Sequence, residues 1–504
     1  MSVTLPRVEG ARMPIVTYSR RFGDLATADP DAPAVTCGEE TISRAELVRR
    51  ADVLAADLAA RGLRHGDMLT IALPNSVEWL VAVLAAWRVG AIPQPVSARL
   101  PARELAAIVE LANAPVVLGI DPGLFEGRTS LPAGHRPSGT DEAIAALPDV
   151  DDTATASPAW KAPTSGGSTG RPKIIVAGEP ALMDTDAELR FFIQRDGCMV
   201  IPGPLYHNGP FVWAILALLE GNHVVVLPRF DAEATLAAID THGGQVTIVV
   251  PTMMKRILRL PEEVRARYDL SSLVALWHTA EPCPAWLKRQ WIDWIGPERV
   301  WEAFAGTEGQ TATRISGAEW LAHEGSVGRP VEGAVRILDV DGHELPAGEM
   351  GEIWMRNLGD KPTYHYLGGE SRVRDGDWES LGDLGRVDED GYLYLGDRTG
   401  DLIISGGVNI YPAEVEAAIQ EHPRVRSVAV IGLPDDDRGA RVHAIVEADP
   451  GLDADGLRAF LADRLVIYKQ PWTYEFVTTS LRDDAGKVRR GALRAERVAT
   501  PAAS

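Results

Sequence analysis

The stretch Pro163-Thr164-Ser165-Gly166-Gly167-Ser168-Thr169-Gly170-Arg171-Pro172-Lys173, followed by apolar Ile174-Ile175-Val176, decides how the chain is read. Glycines let main-chain N–H groups approach an anion closely, Ser and Thr hydroxyls add donors, and Lys and Arg supply charge. The composition is that of a polyphosphate cradle. It departs from the pattern G-x-x-x-x-G-K-[ST], because Pro172 precedes Lys173 and Ile174 follows it. Taken alone, such a loop reads equally well as a flexible surface turn. The residues around it have to decide.

Outward from this loop the chain alternates apolar strands with amphipathic helices. Leu69-Thr70-Ile71-Ala72-Leu73 reads as a buried strand, and the helix behind it ends at Gly90. Ser43 with Glu46 three residues later reads as a capping box. Further strands are expected near His223, Val246 and Arg299, with a helix from Pro284, a grammar that argues for a largely parallel, helix-covered sheet. The region from Gly123 to Ala159 reads as an irregular surface excursion. Between Val327 and Arg356 the turns Asp341-Gly342 and Pro346-Ala347-Gly348 predict a small antiparallel β unit. A smaller module starts near Arg398, with a helix from Pro412, strands near Val425, Val442 and Tyr474, and a disordered tail from Ala499. At 504 residues the chain exceeds one core. The fold class is α/β. A large N-terminal domain of helix-covered sheets with a small β unit spans 1–398, and a small mobile α+β C-terminal domain spans 399–504.

Charge excludes some partners. Lys and Arg total 50 against 71 Asp and Glu, a formal charge of −21. Such a chain is ill suited to wrapping nucleic acid or lying on anionic lipid. Three widely spaced cysteines, Cys37, Cys198 and Cys283, suggest neither a disulfide framework nor a zinc site. The most apolar helix, near Trp79 to Trp87, is interrupted by Arg88 and Gly90 and is too short for a bilayer. Met1 to Val16 has no apolar core behind a basic start. A cytoplasmic protein acting on a small molecule is expected, with no nucleic acid and no membrane span, and with a homodimer left open.

Five further motifs follow the opening loop in order. They are Pro204-Leu205-Tyr206-His207-Asn208-Gly209, Phe304-Ala305-Gly306-Thr307-Glu308, Ser380-Leu381-Gly382-Asp383, the run Gly396-Asp397-Arg398-Thr399-Gly400-Asp401-Leu402-Ile403 through Gly406, Pro412 and Glu414, and Arg482-Asp483-Asp484-Ala485-Gly486-Lys487. With the opening loop this series resembles the adenylate-forming superfamily of acyl- and aryl-CoA synthetases, peptide-synthetase adenylation domains and luciferases. The flavour of His278-Thr279-Ala280 and Val327-Gly328-Arg329-Pro330 is similar to bacterial fatty-acyl and bile-acid CoA ligases.

The resemblance implies ATP-dependent activation of a carboxylic acid as an acyl-adenylate, then transfer to coenzyme A. Thr164, Ser165, Gly166, Gly167, Ser168, Thr169, Gly170 and Lys173 would grip the β and γ phosphates of ATP. Glu308 would hold Mg2+, a hard ion that prefers oxygen ligands. Thr307 would contact the α-phosphate, Phe304 would stack on adenine, and Asp383 would accept the ribose hydroxyls beside Arg398. His207 would line the acyl site and thiol tunnel. Lys487 would stabilise charge that develops in the adenylation transition state. The small domain would pivot at Gly400, and Gly406 and Gly407 would pack along pantetheine. The ending differs from the family's in having Leu481 where a proline is usual. Ala305 replaces a usual glycine, and Glu281 stands where a small residue is commoner. Glu281 reads either as surface or as a reader of an amino or hydroxyl group on an unusual substrate. Phe211 and Trp213 read equally as core or as substrate contacts. The alternative is the same activation with another acceptor, or with nitrite in place of the acid for diazotising an aryl amine.

Overall fold

Strands whose two faces are both covered need apolar residues at every position, which is why the parallel strands of this chain read as unbroken apolar runs. The structure is a computed structural model describing residues 15–166, 172–359, 361–398, 401–405, 408–435, 438–483 and 487–499. The chain forms two compact units. One comprises Met1–Thr164, Val176–Gly197 and Ile215–Val224, and the other Ser165–Ile175, Cys198–Ala214 and Val225–Ser504.

In the first unit, strand Met68–Ile71 lies between Ile92–Pro95 and Val116–Leu118, and Thr129–Leu131 follows, all parallel. Helix Val77–Val89 buries every residue except Glu78 and Arg88. Ser76 caps it by accepting from the Trp79 N–H at 3.2 Å. Gly90 ends it at φ +79°, and a Cβ there would lie 2.6 Å from the Thr155 carbonyl oxygen. Only glycine fits that stop. Two expectations need correction. Ser43 caps helix Arg44–Ala60 by accepting from the Glu46 N–H, but the Glu46 carboxylate turns to Arg49 and Arg50, so the reciprocal half of the box is missing. A complete box stands instead at Ser316 and Glu319, before helix Gly317–Ala322. The stretch from Gly123 to Ala159 is not irregular throughout either: it holds strand Thr129–Leu131, helix Asp141–Ala145 and a 3-10 turn, Thr153–Thr155.

In the second unit, strands Cys198–Ile201, Val246–Val249, Ala275–His278 and Val300–Ala305 lie side by side and parallel. At Val300–Ala305 the sheet changes character. Ala312–Ser316, Ser326–Pro330, Leu393–Arg398, Asp383–Val387 and Gly351–Arg356 continue it in that order, each antiparallel to the last. The expected β turns are present, with Gly342 and Gly348 both at φ +89°. Helices Pro251–Leu258 and Ala285–Ile295 cover the parallel part, where Met254, Leu276, Trp291, Ile292 and Trp320 share one core. The C-terminal stretch pairs Val425–Asp435 with Gly439–Ala448 antiparallel, and the latter with Thr473–Val477 parallel. Helices Pro412–Gln420 and Ala454–Leu461 close over them around Val415, Ile419, Val428, Val446 and Leu457. The last helix runs Arg490–Ala499, and the rest of the expected tail lies outside the described residues. Among the described residues no helix is long and apolar enough to cross a membrane.

Candidate active site

Ala275–His278 and Val300–Ala305 are parallel neighbours, with His278 opposite Glu302. Their exit loops, Thr279-Ala280-Glu281 and Gly306-Thr307-Glu308, therefore leave the same sheet edge. Carboxyl ends of parallel strands are where such folds bind ligands.

Glu308 is buried just past the second strand. Its Oε1 accepts the Tyr366 hydroxyl at 2.5 Å, and the Lys173 ammonium lies 3.6 Å from the same oxygen. Lys173 also sits 3.9 Å over the Tyr366 ring. Burial, and then the neighbouring Glu308 carboxylate, push the Tyr366 phenol well above its usual range, so it stays a donor. Thr363 donates to the Glu308 carbonyl at 2.8 Å and fixes the turn. A Cβ on Gly306 would stand 2.4 Å from Leu381 Cδ1 and 3.1 Å from Glu308 Oε2. Gln310 Oε1 and Thr311 Oγ1 are buried nearby in sequence, without a hydrogen-bond partner among the described residues. Buried oxygens left over in this way are met by water or by a bound group. Oxygen donors beside a lysine suit a hard divalent cation carrying polyphosphate.

His207 precedes helix Asn208–Leu219 and takes the helix's Phe211 N–H on its carbonyl. Its Nε2 is buried with no hydrogen-bond partner among the described residues. Burial, and then the Lys487 ammonium, push the imidazole down to about 3, so it is neutral at physiological pH. Lys487 is exposed, and its main-chain N–H donates to the Asp483 carboxylate at 2.9 Å. Phe211 and Trp213 are both buried, and the Trp213 ring lies 6.3 Å from that of Trp277.

Asp383 opens its strand directly opposite Arg398 in the register, behind Gly382 at φ +85°. Phe304 packs against the cluster of Val327, Ile337, Ile353, Met355 and Leu393, and Thr307 is half-buried in its turn. Ala305, the last residue of its strand, is exposed. Thr164 Oγ1 accepts from the Gln94 amide at 2.7 Å. Ser165, Gly166 and Arg398 are placed by their strands. Gly167, Ser168, Thr169, Gly170, Gly400, Gly406 and Gly407 lie outside the described residues.

The surface reading of Glu281 is wrong. Ala280 is left-handed at φ +72°, a rare state for a side chain with Cβ, and Glu281 next to it is buried. Its Oε2 accepts from the Thr252 hydroxyl at 2.8 Å and the Thr252 N–H at 3.3 Å, and lies 3.7 Å from the Arg482 guanidinium. Burial pushes the carboxyl up to about 7 despite Arg482 and Thr252.

Three features were missed in the sequence. Tyr366 stands on a strand of only four residues, Tyr364–Leu367, whose two inward tyrosines give no motif. Lys288 is fully buried and donates to Glu302 at 2.6 Å, with His278 Nε2 3.7 Å from the same oxygen. Burial, and then Lys288, hold His278 well below its usual range. A signal for this cluster existed, because Lys288 falls at helical spacing with buried Trp291, Ile292 and Ile295. Lys255 on helix Pro251–Leu258 is buried as well.

The model of the AMP-binding enzyme family matches residues 22–365, and that of the AMP-binding enzyme C-terminal domain matches 414–487. A feruloyl-CoA synthase from Amycolatopsis sp is 32% identical over 93% of this chain and 96% of its own. A 2-succinylbenzoate–CoA ligase from Bacillus licheniformis is 31% identical over 92% and 97%. Among solved structures, o-succinylbenzoate CoA synthetase from Bacillus subtilis, in complex with its acyl-adenylate intermediate, superposes with a TM-score of 0.79. That match has 25% identity and covers 96% of this chain and 99% of that one.

Proposed function

The chain belongs to the AMP-binding enzyme family, and from that premise we propose that it is an AMP-forming acid–thiol ligase, which activates a carboxylic acid with ATP and passes the acyl group to coenzyme A. The observation that carries this reading is the Lys173–Glu308 pair, the basic end of the glycine-rich loop set against a buried carboxylate at the strand edge. In the first half-reaction an oxygen of the acid attacks the α-phosphorus and pyrophosphate leaves. In the second, the thiol sulfur attacks the acyl carbonyl and AMP leaves. Little covalent chemistry falls to the protein, so positioning and preorganised charge do the catalysis.

Residues 1–398 would carry ATP and the acid, and 399–504 would form the mobile domain bearing Lys487, a division in line with the two matched family models. Thr164, Ser165, Ser168, Thr169 and Lys173 hold the outer phosphates. Glu308 offers a carboxylate to Mg2+, which neutralises phosphate charge when bound. Thr307 meets the α-phosphate, Phe304 faces the adenine, and Asp383 with Arg398 takes the ribose. Neutral His207 would place at the acyl and thiol path its Nε2, which has no hydrogen-bond partner among the described residues. Lys487 stabilises the charge that develops on the α-phosphoryl group.

The test is AMP release and thioester formation with a panel of aliphatic and aryl acids, run beside nitrite plus an amino-aryl acid. Equal amounts of AMP and thioester from a carboxylic acid support the reading. AMP that needs nitrite and never coenzyme A would replace it with the diazotising alternative.

A further inference from the structure

Helix Pro251–Leu258 carries three attachments that the chemistry above does not use. The Lys255 ammonium donates to the carbonyls of Gln420 at 3.0 Å and Val425 at 3.1 Å. Arg259, just past the helix, donates to those of Pro423 at 3.1 Å and Val425 at 2.6 Å. These carbonyls cluster at and just beyond the end of helix Pro412–Gln420, where unsatisfied C=O groups concentrate partial negative charge. At the other end of helix Pro251–Leu258, Thr252 holds Glu281, which faces Arg482. Arg482 stands five residues before Lys487 and also donates to Ser427 Oγ at 3.2 Å.

We infer that Lys255, Arg259 and Glu281 are positioning residues that clamp the C-terminal stretch in the pose that brings Lys487 to the site. The inference rests on the two-step reading above. The clamp meets the stretch at two places, a helix end and the Lys487 turn, so it resists rotation as well as separation. Holding it charged is costly, since burial, and then Arg259 and Arg482, bring the Lys255 ammonium down to about 7. A buried lysine with main-chain carbonyls as acceptors is a poor choice for packing alone. Release would return Lys255, Arg259 and Glu281 to water, which keeps the clamp reversible.

The experiment measures each half-reaction in the full chain. Acid-dependent pyrophosphate exchange reports adenylation, and thioester formation from supplied acyl-adenylate and coenzyme A reports the second step. Lys255→Met is expected to lower exchange about tenfold with the thioester step unchanged or faster, and Lys255→Arg to restore most of the loss. Glu281→Gln, nearly isosteric and therefore able to fold if Lys255→Met is not, should shift the ratio in the same sense by about threefold. Equal loss in both half-reactions, or no change in either, overturns the clamp while leaving the ligase intact. No exchange in the wild type with any acid overturns the ligase reading itself, and the clamp with it.

Discussion

Glu308 and Glu281 make an instructive pair. Both follow the ends of adjacent parallel strands, both are buried, and both lie near a basic side chain. Glu308 keeps its partners close in the fold of its own site, a tyrosine hydroxyl and the lysine at the end of the glycine-rich loop. Its second oxygen lies beside Gly306, where a Cβ would stand 3.1 Å away. Glu281 spends one oxygen on Thr252 and Arg482, and its other oxygen is buried with no hydrogen-bond partner among the described residues. A buried carboxylate at a strand edge is thus not a ligand site by position alone. What separates the two is whether the countercharge comes from the glycine-rich loop or from the stretch just before Lys487.

Glu302, on the strand that leads to Glu308, gives the hardest test of that distinction, since Lys288 wholly occupies it. Lys288→Met should cost about 3–5 kcal/mol of stability by leaving a buried carboxylate unpaired, whereas Lys288→Met with Glu302→Leu should recover most of it. Denaturant titration of both variants would show this. A single variant as stable as the wild type would mean that the pair is not a closed one.

On the ligand side, Glu308→Gln and Lys487→Ala should each lower pyrophosphate exchange by ~100-fold or more, the usual cost of one preorganised charge. Lys487→Ala should spare thioester formation from a supplied acyl-adenylate. Glu308→Gln should also weaken the dependence of exchange on Mg2+ concentration. Loss of both half-reactions to the same degree in Lys487→Ala would make that lysine structural.

Glu281 should reveal itself through pH. Its folded value, about 7, is raised above the ordinary carboxyl value of 4.5. Between those limits the folded chain holds a proton that the unfolded chain has released. Relative to glutamine, the stabilisation is therefore complete below about pH 4.5 and fades as pH rises through 7. The stability gap between wild type and Glu281→Gln should favour the wild type by ~2 kcal/mol more at pH 5 than at pH 8. A gap independent of pH would put Glu281 in the same charge state throughout. A smaller effect than that of Glu308→Gln is expected from Tyr366→Phe, which removes one hydrogen bond to a charged group. Exchange should fall by about tenfold, with Lys173 still in place.

Much of this was legible beforehand, for identifiable reasons. Strands Met68–Ile71 and Val246–Val249 announced themselves because burial on both faces demands unbroken apolar runs. Glu308, Asp383 and Lys487 were singled out because they stand in motifs that resemble those of the family. The burial of Glu281 was not legible, because the left-handed torsion of Ala280 before it leaves no trace in composition. Tyr366 and Lys255 escaped because their partners lie far along the chain: Glu308 is 58 residues from Tyr366, and Gln420 is 165 from Lys255.

The grip of Lys255 and Arg259 falls on main-chain carbonyls rather than on side chains. The address they read is therefore written in backbone shape. Substitutions at Gln420, Glu421 or Arg424 that keep the helix end in place can drift without loosening the contact. A single residue inserted within helix Pro412–Gln420 would turn its end by about 100° and carry the Gln420 carbonyl away from Lys255. In this stretch selection can be blind to letters and strict about length.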